Sequence, residues 1–225
     1  MKILNGEFLL GDCFEHMATI PPGSVDMICT DPPYGMDYQS NRRVVAEQHR
    51  KIANDIDLAW LPDFCAQAFR TAADNTGHYF FCSYHNIDLF KQALAQHFKV
   101  KNLIVWEKAN HGTGDLKGDF APKVEFCWFV TKGRPLIRGK REPNIVRFSG
   151  TRNALHPTQK PVELMSWLIE KFSDEGQTVL DPFAGSGTTA VAAESAGRRW
   201  ICIERDPDYY AKAVDRVLAL DPLFQ

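Results

Sequence analysis

The stretch Asp181-Pro182-Phe183-Ala184-Gly185-Ser186-Gly187-Thr188 constrains the fold more than any other part of this 225-residue chain. It follows the apolar run Thr178-Val179-Leu180 and precedes Thr189-Ala190-Val191-Ala192-Ala193, an alanine-rich stretch suited to a helix. Strand, glycine-rich turn and helix form the arrangement of a nucleotide-type cofactor site, because glycine lets the backbone turn tightly and approach a ligand. Gly185-Ser186-Gly187-Thr188-Thr189-Ala190 fits the pattern G-x-G-x-x-G/A. A second strand, residues 199–203, ends in Glu204. That acid stands about 20 residues past the first glycine, where such a site places a ribose-binding carboxylate. Only one strand follows the turn, so the rest of the sheet is expected upstream.

Upstream, strands are expected over residues 7–10, 25–30, 77–83, 102–106 and 124–131, which makes seven in all. Helices are expected near 13–18, 61–74, 86–98 and 162–172, the last opened by Pro161. Residues 35–57 are polar without a period and read as a mobile loop, and residues 111–118 as a glycine-rich loop. Strands alternating with helices predict an α/β fold with a doubly wound, mostly parallel sheet. In such sheets ligands bind beyond the carboxyl ends of the strands. Asp12, Asp31, Asp181 and Glu204 each close or follow a strand, so four carboxylates should line one rim. The chain reads as one domain, 1–225, with a short basic insert at 132–155.

A hydrophobic content of 44% is enough for a substantial core. The apolar runs are too short for a membrane span, and no N-terminal signal is visible. The six cysteines stand singly; Cys29, Cys82, Cys127 and Cys202 lie within apolar runs and read as small buried hydrophobes in a reducing cytosol. No histidine or cysteine spacing matches a zinc motif, so no metal is expected. The net charge of −2 does not by itself suggest a nucleic-acid partner, but its distribution does. Lys132, Arg134, Arg138, Lys140, Arg141, Arg147 and Arg152 face one acid, Glu142; Arg42, Arg43, Arg50 and Lys51 form a second group. Such a stripe is either an electrostatic footprint for phosphate or a solvated loop.

A second motif, Asp31-Pro32-Pro33-Tyr34, follows the strand at 25–30. Alone, Asp-Pro-Pro could be an ordinary type I turn. It also supplies what an exocyclic nucleobase amine needs in order to act as a nucleophile. The Asp31 carboxylate and the Pro32 carbonyl can accept both amine hydrogens, and the prolines stiffen the turn. Tyr34 offers a flat face for a base taken out of the helix. A phosphate loop would need a lysine where Thr188 stands, and a dinucleotide site normally carries its glycine turn early in the domain.

DPPY first and DPFAGSGTT last, in this order, resemble the beta class of DNA amino-methyltransferases, a permuted arrangement, over nearly the whole chain. The resemblance implies a methyltransferase-type sheet and S-adenosyl-L-methionine as cofactor. It implies catalytic roles for Asp31, Pro32, Pro33 and Tyr34. Cofactor contacts are implied from Asp181 and Pro182 through Phe183, Ala184, Gly185, Ser186, Gly187, Thr188 and Thr189, with Glu204 on the ribose and Asp12 and Cys13 by the adenine. His156-Pro157-Thr158-Gln159-Lys160-Pro161 is similar to the segment that leads into the helix beside the cofactor, with Lys160 and Pro161 as the matching positions. Trp106-Glu107-Lys108 resembles a strand-end W-x-K of these enzymes, and Glu125 a common position with no chemistry assigned. The partner would be double-stranded DNA, met by Arg42, Arg43, Arg138, Lys140, Arg141 and Arg147. The location would be the cytoplasm, with homodimer formation left open. Asp rather than Ser at position 31 leans toward adenine N6, with cytosine N4 as the alternative, and the short insert points to short or relaxed target recognition.

Overall fold

The computed structural model describes residues 1–34, 57–110, 117–118, 120–149 and 159–221. In chain order its elements are β1 (Lys2–Ile3), β2 (Gly6–Leu10), α1 (Cys13–Thr19), β3 (Met27–Thr30), α2 (Leu61–Thr71), β4 (Thr76–Cys82), α3 (Ile87–Ala95), β5 (Lys99–Lys108), β6 (Val124–Lys132), β7 (Ile145–Phe148), α4 (Val162–Phe172), β8 (Thr178–Asp181), α5 (Thr188–Ser195), β9 (Arg199–Glu204) and α6 (Pro207–Leu218). Among the described residues the strands form one sheet in the order β1-β2-β9-β8-β3-β4-β6-β5-β7. Strands β2, β9, β8, β3 and β4 are parallel neighbours. β6 runs back between β4 and β5, antiparallel to both.

Strands β3, β4 and β8 are buried along their whole length. Helices cover both faces there, which is why these strands read as continuous apolar runs. The pleat divides their side chains between two cores. Met27, Cys29, Tyr79 and Phe81 pack with Leu168 of α4, Ala192 of α5 and Val217 of α6. Ile28, Phe80 and Cys82 pack on the other face with Met17 of α1, Phe64 of α2 and Phe90 of α3. Asp12 caps α1 by accepting the Phe14 N–H at 2.9 Å. Asp206 caps α6 by accepting from Asp208 and Tyr209.

The sheet carries nine strands among the described residues instead of the expected seven. The seven are present; β1 and β7 are added at its two edges. β1 has two residues, too few for a period to register. β7 lies inside the basic insert, where only Val146 is buried and the flanking charges hide the alternation. The loop expected over 35–57 falls almost wholly outside the described residues, as does most of 111–118.

His78 is fully buried at the centre of β4. Its Nδ1 accepts the Ile28 N–H at 3.1 Å, and its Nε2 lies 2.9 Å from Thr76 Oγ1. Burial, aided by Lys132, lowers its pKa to about 3. An unfolded histidine titrates near 6.5. Between these values the unfolded chain binds a proton that the folded chain refuses, so stability falls as pH drops from about 6.5 toward about 3. The slope is about 1.4 kcal/mol per pH unit within that window. His78→Asn, which keeps an acceptor for Ile28, should flatten the fall in urea midpoint between pH 7 and pH 5. A variant with the wild-type acid loss would show that another group is responsible.

Candidate active site

Because β2, β9, β8 and β3 are adjacent and parallel, their carboxyl ends share one rim. Leu10 lies in register with Glu204, and Asp181 with Cys202. Asp12, Glu204, Asp181 and Asp31 therefore stand along neighbouring strand ends.

The glycine loop between β8 and α5 is fastened on several sides. Ala184 N–H donates to the Ile203 carbonyl at 2.9 Å, and Gly187 N–H to the Ala184 carbonyl at 2.8 Å. Gly185 N–H donates to Glu204 Oε2 at 2.7 Å. Gly185 and Gly187 have φ of 53° and 73°, in the left-handed region that side chains avoid. Arg216 of α6 donates to the Ser186 carbonyl at 3.1 Å and to Thr188 Oγ1 at 3.0 Å. Phe183 packs its ring against Phe64, 5.2 Å between centroids. Glu204 Oε1 accepts the Asp206 N–H at 2.8 Å. Burial raises the Glu204 carboxyl above the ordinary range, against the pull of these amides.

Two residues expected to face a cofactor turn inward instead. Asp181 is 3% exposed. Its Oδ1 accepts from Thr30 Oγ1 at 2.7 Å and from the Phe183 N–H at 3.1 Å, and its Oδ2 from Thr189 Oγ1 at 2.5 Å. Burial pushes it up to about 6 against those hydrogen bonds. The carboxylate staples β3, β8 and α5 together, a task for which its strand-end position gave no clue. Cys13 sits in the apolar core beneath α1, where burial and then Asp12 push its thiol up to about 12. Its side chain falls on the buried stripe of a helix whose capping residue, Asp12, is the one left at the rim.

Asp31 follows β3 directly. Its Oδ1 accepts from the Tyr34 hydroxyl and its Oδ2 from Lys160 Nζ. The Tyr34 carbonyl accepts from Asn86 Nδ2, which ties the loop to α3. Lys160 also lies 3.1 Å from Glu125 Oε2, and Glu125 Oε1 pairs with Lys108. Burial raises the Asp31 carboxyl, and Lys160 offsets part of that rise. Burial alone would depress the Lys160 ammonium, but Asp31 and Glu125 outweigh it and hold it above the usual lysine range. Lys160 was read as a cofactor contact; the structure aims its ammonium at Asp31. Pro161 stands at the N-cap of α4 with an extended backbone, and its carbonyl accepts the Met165 N–H at 3.2 Å. One signal could have located the charge cluster from sequence. Glu125 interrupts an apolar strand, and β6 brings it opposite Trp106, two residues before Lys108 on the same face.

The basic insert is divided between the two ends of the sheet. β6 is antiparallel to β4, with Cys82 beside Phe126 and Thr76 beside Lys132. Residues following Lys132 thus begin about 20 Å from the rim, at about 3.3 Å per residue. There Arg138 pairs with Asp174 at 2.6 and 3.1 Å, and Lys171 of α4 donates to the Lys140 carbonyl at 3.1 Å. Arg138, Lys140 and Arg141, expected as DNA contacts, therefore lie away from the rim, because the antiparallel strand before them ends at the far end of the sheet. Arg147 returns toward the rim on β7 and pairs with Glu107 at 2.7 Å. Arg42 and Arg43 lie outside the described residues.

This arrangement has relatives. YubD of Escherichia coli (strain K12) is 34% identical over 219 residues, covering 97% of this chain and 92% of that one. The DNA adenine methyltransferase YhdJ of the same organism is 27% identical over 243 residues, covering 92% and 81%. The crystal structure of an M1.HpyAVI-SAM complex is 26% identical with a TM-score of 0.74, covering 94% of this chain and 99% of that one. The cytosine-N4-specific PvuII DNA methyltransferase shares the fold, with a TM-score of 0.78 at 20% identity, covering 97% and 87%. The family model described as DNA methylase matches residues 25–215, and with that span matched this chain belongs to the DNA methylase family.

Proposed function

We propose that this chain methylates the exocyclic N6 amine of adenine in double-stranded DNA, with S-adenosyl-L-methionine as methyl donor. The observation that carries the reading is the Asp31 carboxylate, held beside the Tyr34 ring on the rim that also bears the glycine loop. The residues present fit the cofactor. The loop contains no lysine of the kind a phosphate site uses, and Glu204 and Asp12 put two carboxylates on the same rim, which suit a cationic, hydroxyl-bearing cofactor better than a pyrophosphate. When bound, the cofactor supplies a methyl group on a positively charged sulfur. Glu204 would hold its ribose hydroxyls, Asp12 its adenine, and residues 183–189 its methionine part.

Asp31 and the Pro32 carbonyl accept the two amine hydrogens, which localises the nitrogen lone pair and directs it at the methyl group. Asp31 then lies ready for the proton that the methylated amine sheds. No covalent enzyme intermediate is required; positioning and electrostatics supply the rate. Tyr34 stacks on the flipped base, and its hydroxyl, bonded to Asp31 in the base-free form, fixes the acceptor until the base arrives. Cytosine N4 is the second reading, supported by the fold shared with the PvuII enzyme. YhdJ, whose name specifies adenine, supports the first. Among the described residues no helix is long and apolar enough to cross a membrane, and no cluster of three metal-ligating side chains occurs.

The test is mass spectrometry of nucleosides from duplex DNA treated with the chain and S-adenosyl-L-methionine. N6-methyldeoxyadenosine is the expected product, and N4-methyldeoxycytidine would replace the first reading with the second. DNA would lie along the rim, within reach of Arg147. Replacing Arg138, Lys140 and Arg141 together with Ala should leave the salt dependence of DNA binding unchanged. A slope that falls by about one unit per residue removed would put phosphates at the far edge instead.

A further inference from the structure

Four side chains of alternating charge run along the rim from the Asp31 loop toward the end of β5: Asp31, Lys160, Glu125 and Lys108. They come from four separate stretches: the end of β3, the approach to α4, the start of β6 and the end of β5. Lys160 is only 4% exposed, and its Nζ lies 5.0 Å from the centroid of the Phe81 ring. An ammonium held this dry is costly unless its neighbours are ionised. Glu125 Oε2 is buried, with the Lys160 ammonium 3.1 Å away as its close polar neighbour among the described residues.

We infer that Lys160, backed by Glu125, is a positioning residue that orients the Asp31 carboxylate toward the target amine. This rests on the reading of Asp31 as the amine acceptor. Lys160 occupies Asp31 Oδ2 and leaves Oδ1, shared with the Tyr34 hydroxyl, as the oxygen that can turn to the base. Glu125 keeps Lys160 charged and prevents its ammonium from swinging away.

The two residues act on the Asp31 charge with opposite sign. Burial raises the carboxyl, Lys160 lowers it, and Glu125 raises it. Tyr34 of the same loop and Asp181 of β8 also face this cluster. Among the described residues the thiols of Cys29, Cys82 and Cys127 also lie beside it, and all five groups are common to every variant below.

The experiment measures single-turnover methyl transfer to duplex DNA against pH, with S-adenosyl-L-methionine affinity from calorimetry, for the full chain and its variants. Lys160→Met should slow transfer roughly tenfold or more and move the acid limb of the profile to higher pH. Glu125→Gln, close in shape and so safe for folding, should slow transfer less and move the limb to lower pH. Cofactor affinity should stay within about threefold of wild type in both, because neither change alters the glycine loop. In an Asp31→Asn background, Lys160→Met should add little further loss. Limbs that do not move, or losses from Asp31→Asn and Lys160→Met that multiply independently, would overturn the inference. So would a Lys160→Met variant that loses cofactor affinity with its limb in place. If Asp31→Asn itself transfers methyl groups at the wild-type rate, the reading of Asp31 fails instead.

Discussion

Asp31→Ala should slow single-turnover methyl transfer by about a hundredfold or more, the usual cost of one positioned polar group at a reacting centre. The carboxylate is the acceptor aimed at the amine, and the Pro32 carbonyl alone would leave one amine hydrogen unheld. Alanine also leaves the Lys160 ammonium buried with Glu125 as its remaining anionic neighbour among the described residues. Breaking a buried pair on one side costs about 3–5 kcal/mol, so the variant should melt lower as well. Cofactor affinity and the far-UV circular dichroism spectrum separate the two effects. Both should stay near wild type at a temperature below the melt, while transfer is lost. Asp31→Asn, which keeps the shape, should fold normally and still be slow. A rate within a few-fold of wild type in Asn and Ala variants alike would remove Asp31 from the chemistry.

Gly185→Val should abolish measurable binding of S-adenosyl-L-methionine, a loss on the order of a hundredfold or more in Kd. At φ 53° a β-branched side chain is strained, by about 1–2 kcal/mol from the left-handed conformation alone. The same residue donates its N–H to Glu204, so relaxing the strain moves the acid proposed to hold the ribose. Gly187→Val tests a different contact. A Cβ there would lie 3.0 Å from both Phe8 Cζ and Ala213 Cβ, against the core. That variant should lose more thermal stability than Gly185→Val, because it adds a steric clash with the core to the strain of a positive φ. Wild-type affinity in Gly185→Val would show that the cofactor lies elsewhere.

Much of this molecule is legible in its sequence because much of it is local. Burial on both faces makes β3, β4 and β8 continuous apolar runs, and a 3.6-residue period marks α2 and α4. The left-handed turns at Gly185 and Gly187 demand glycine, so the loop announces itself. Once the order of parallel strands is inferred, Asp12, Asp31 and Glu204 must stand on one rim. Periodicity reports which face of an element is buried, but not which distant element covers it. Thr30 finds Asp181 across 151 positions, and Lys160 finds Asp31 across 129. Nothing near Asp181 indicates that its carboxylate turns inward to two hydroxyls, and nothing near Lys160 indicates that its partner is a carboxylate of the catalytic loop. Strand direction is equally a long-range property. The residues of β6 would read the same in either direction, yet its antiparallel course carries Arg138, Lys140 and Arg141 to the far edge and returns Arg147 to the rim. Composition along the chain thus identifies the basic segment. Only the pairing of β6 with β4 and β5, stabilised by side chains far apart in sequence, decides which of its charges stand near the site.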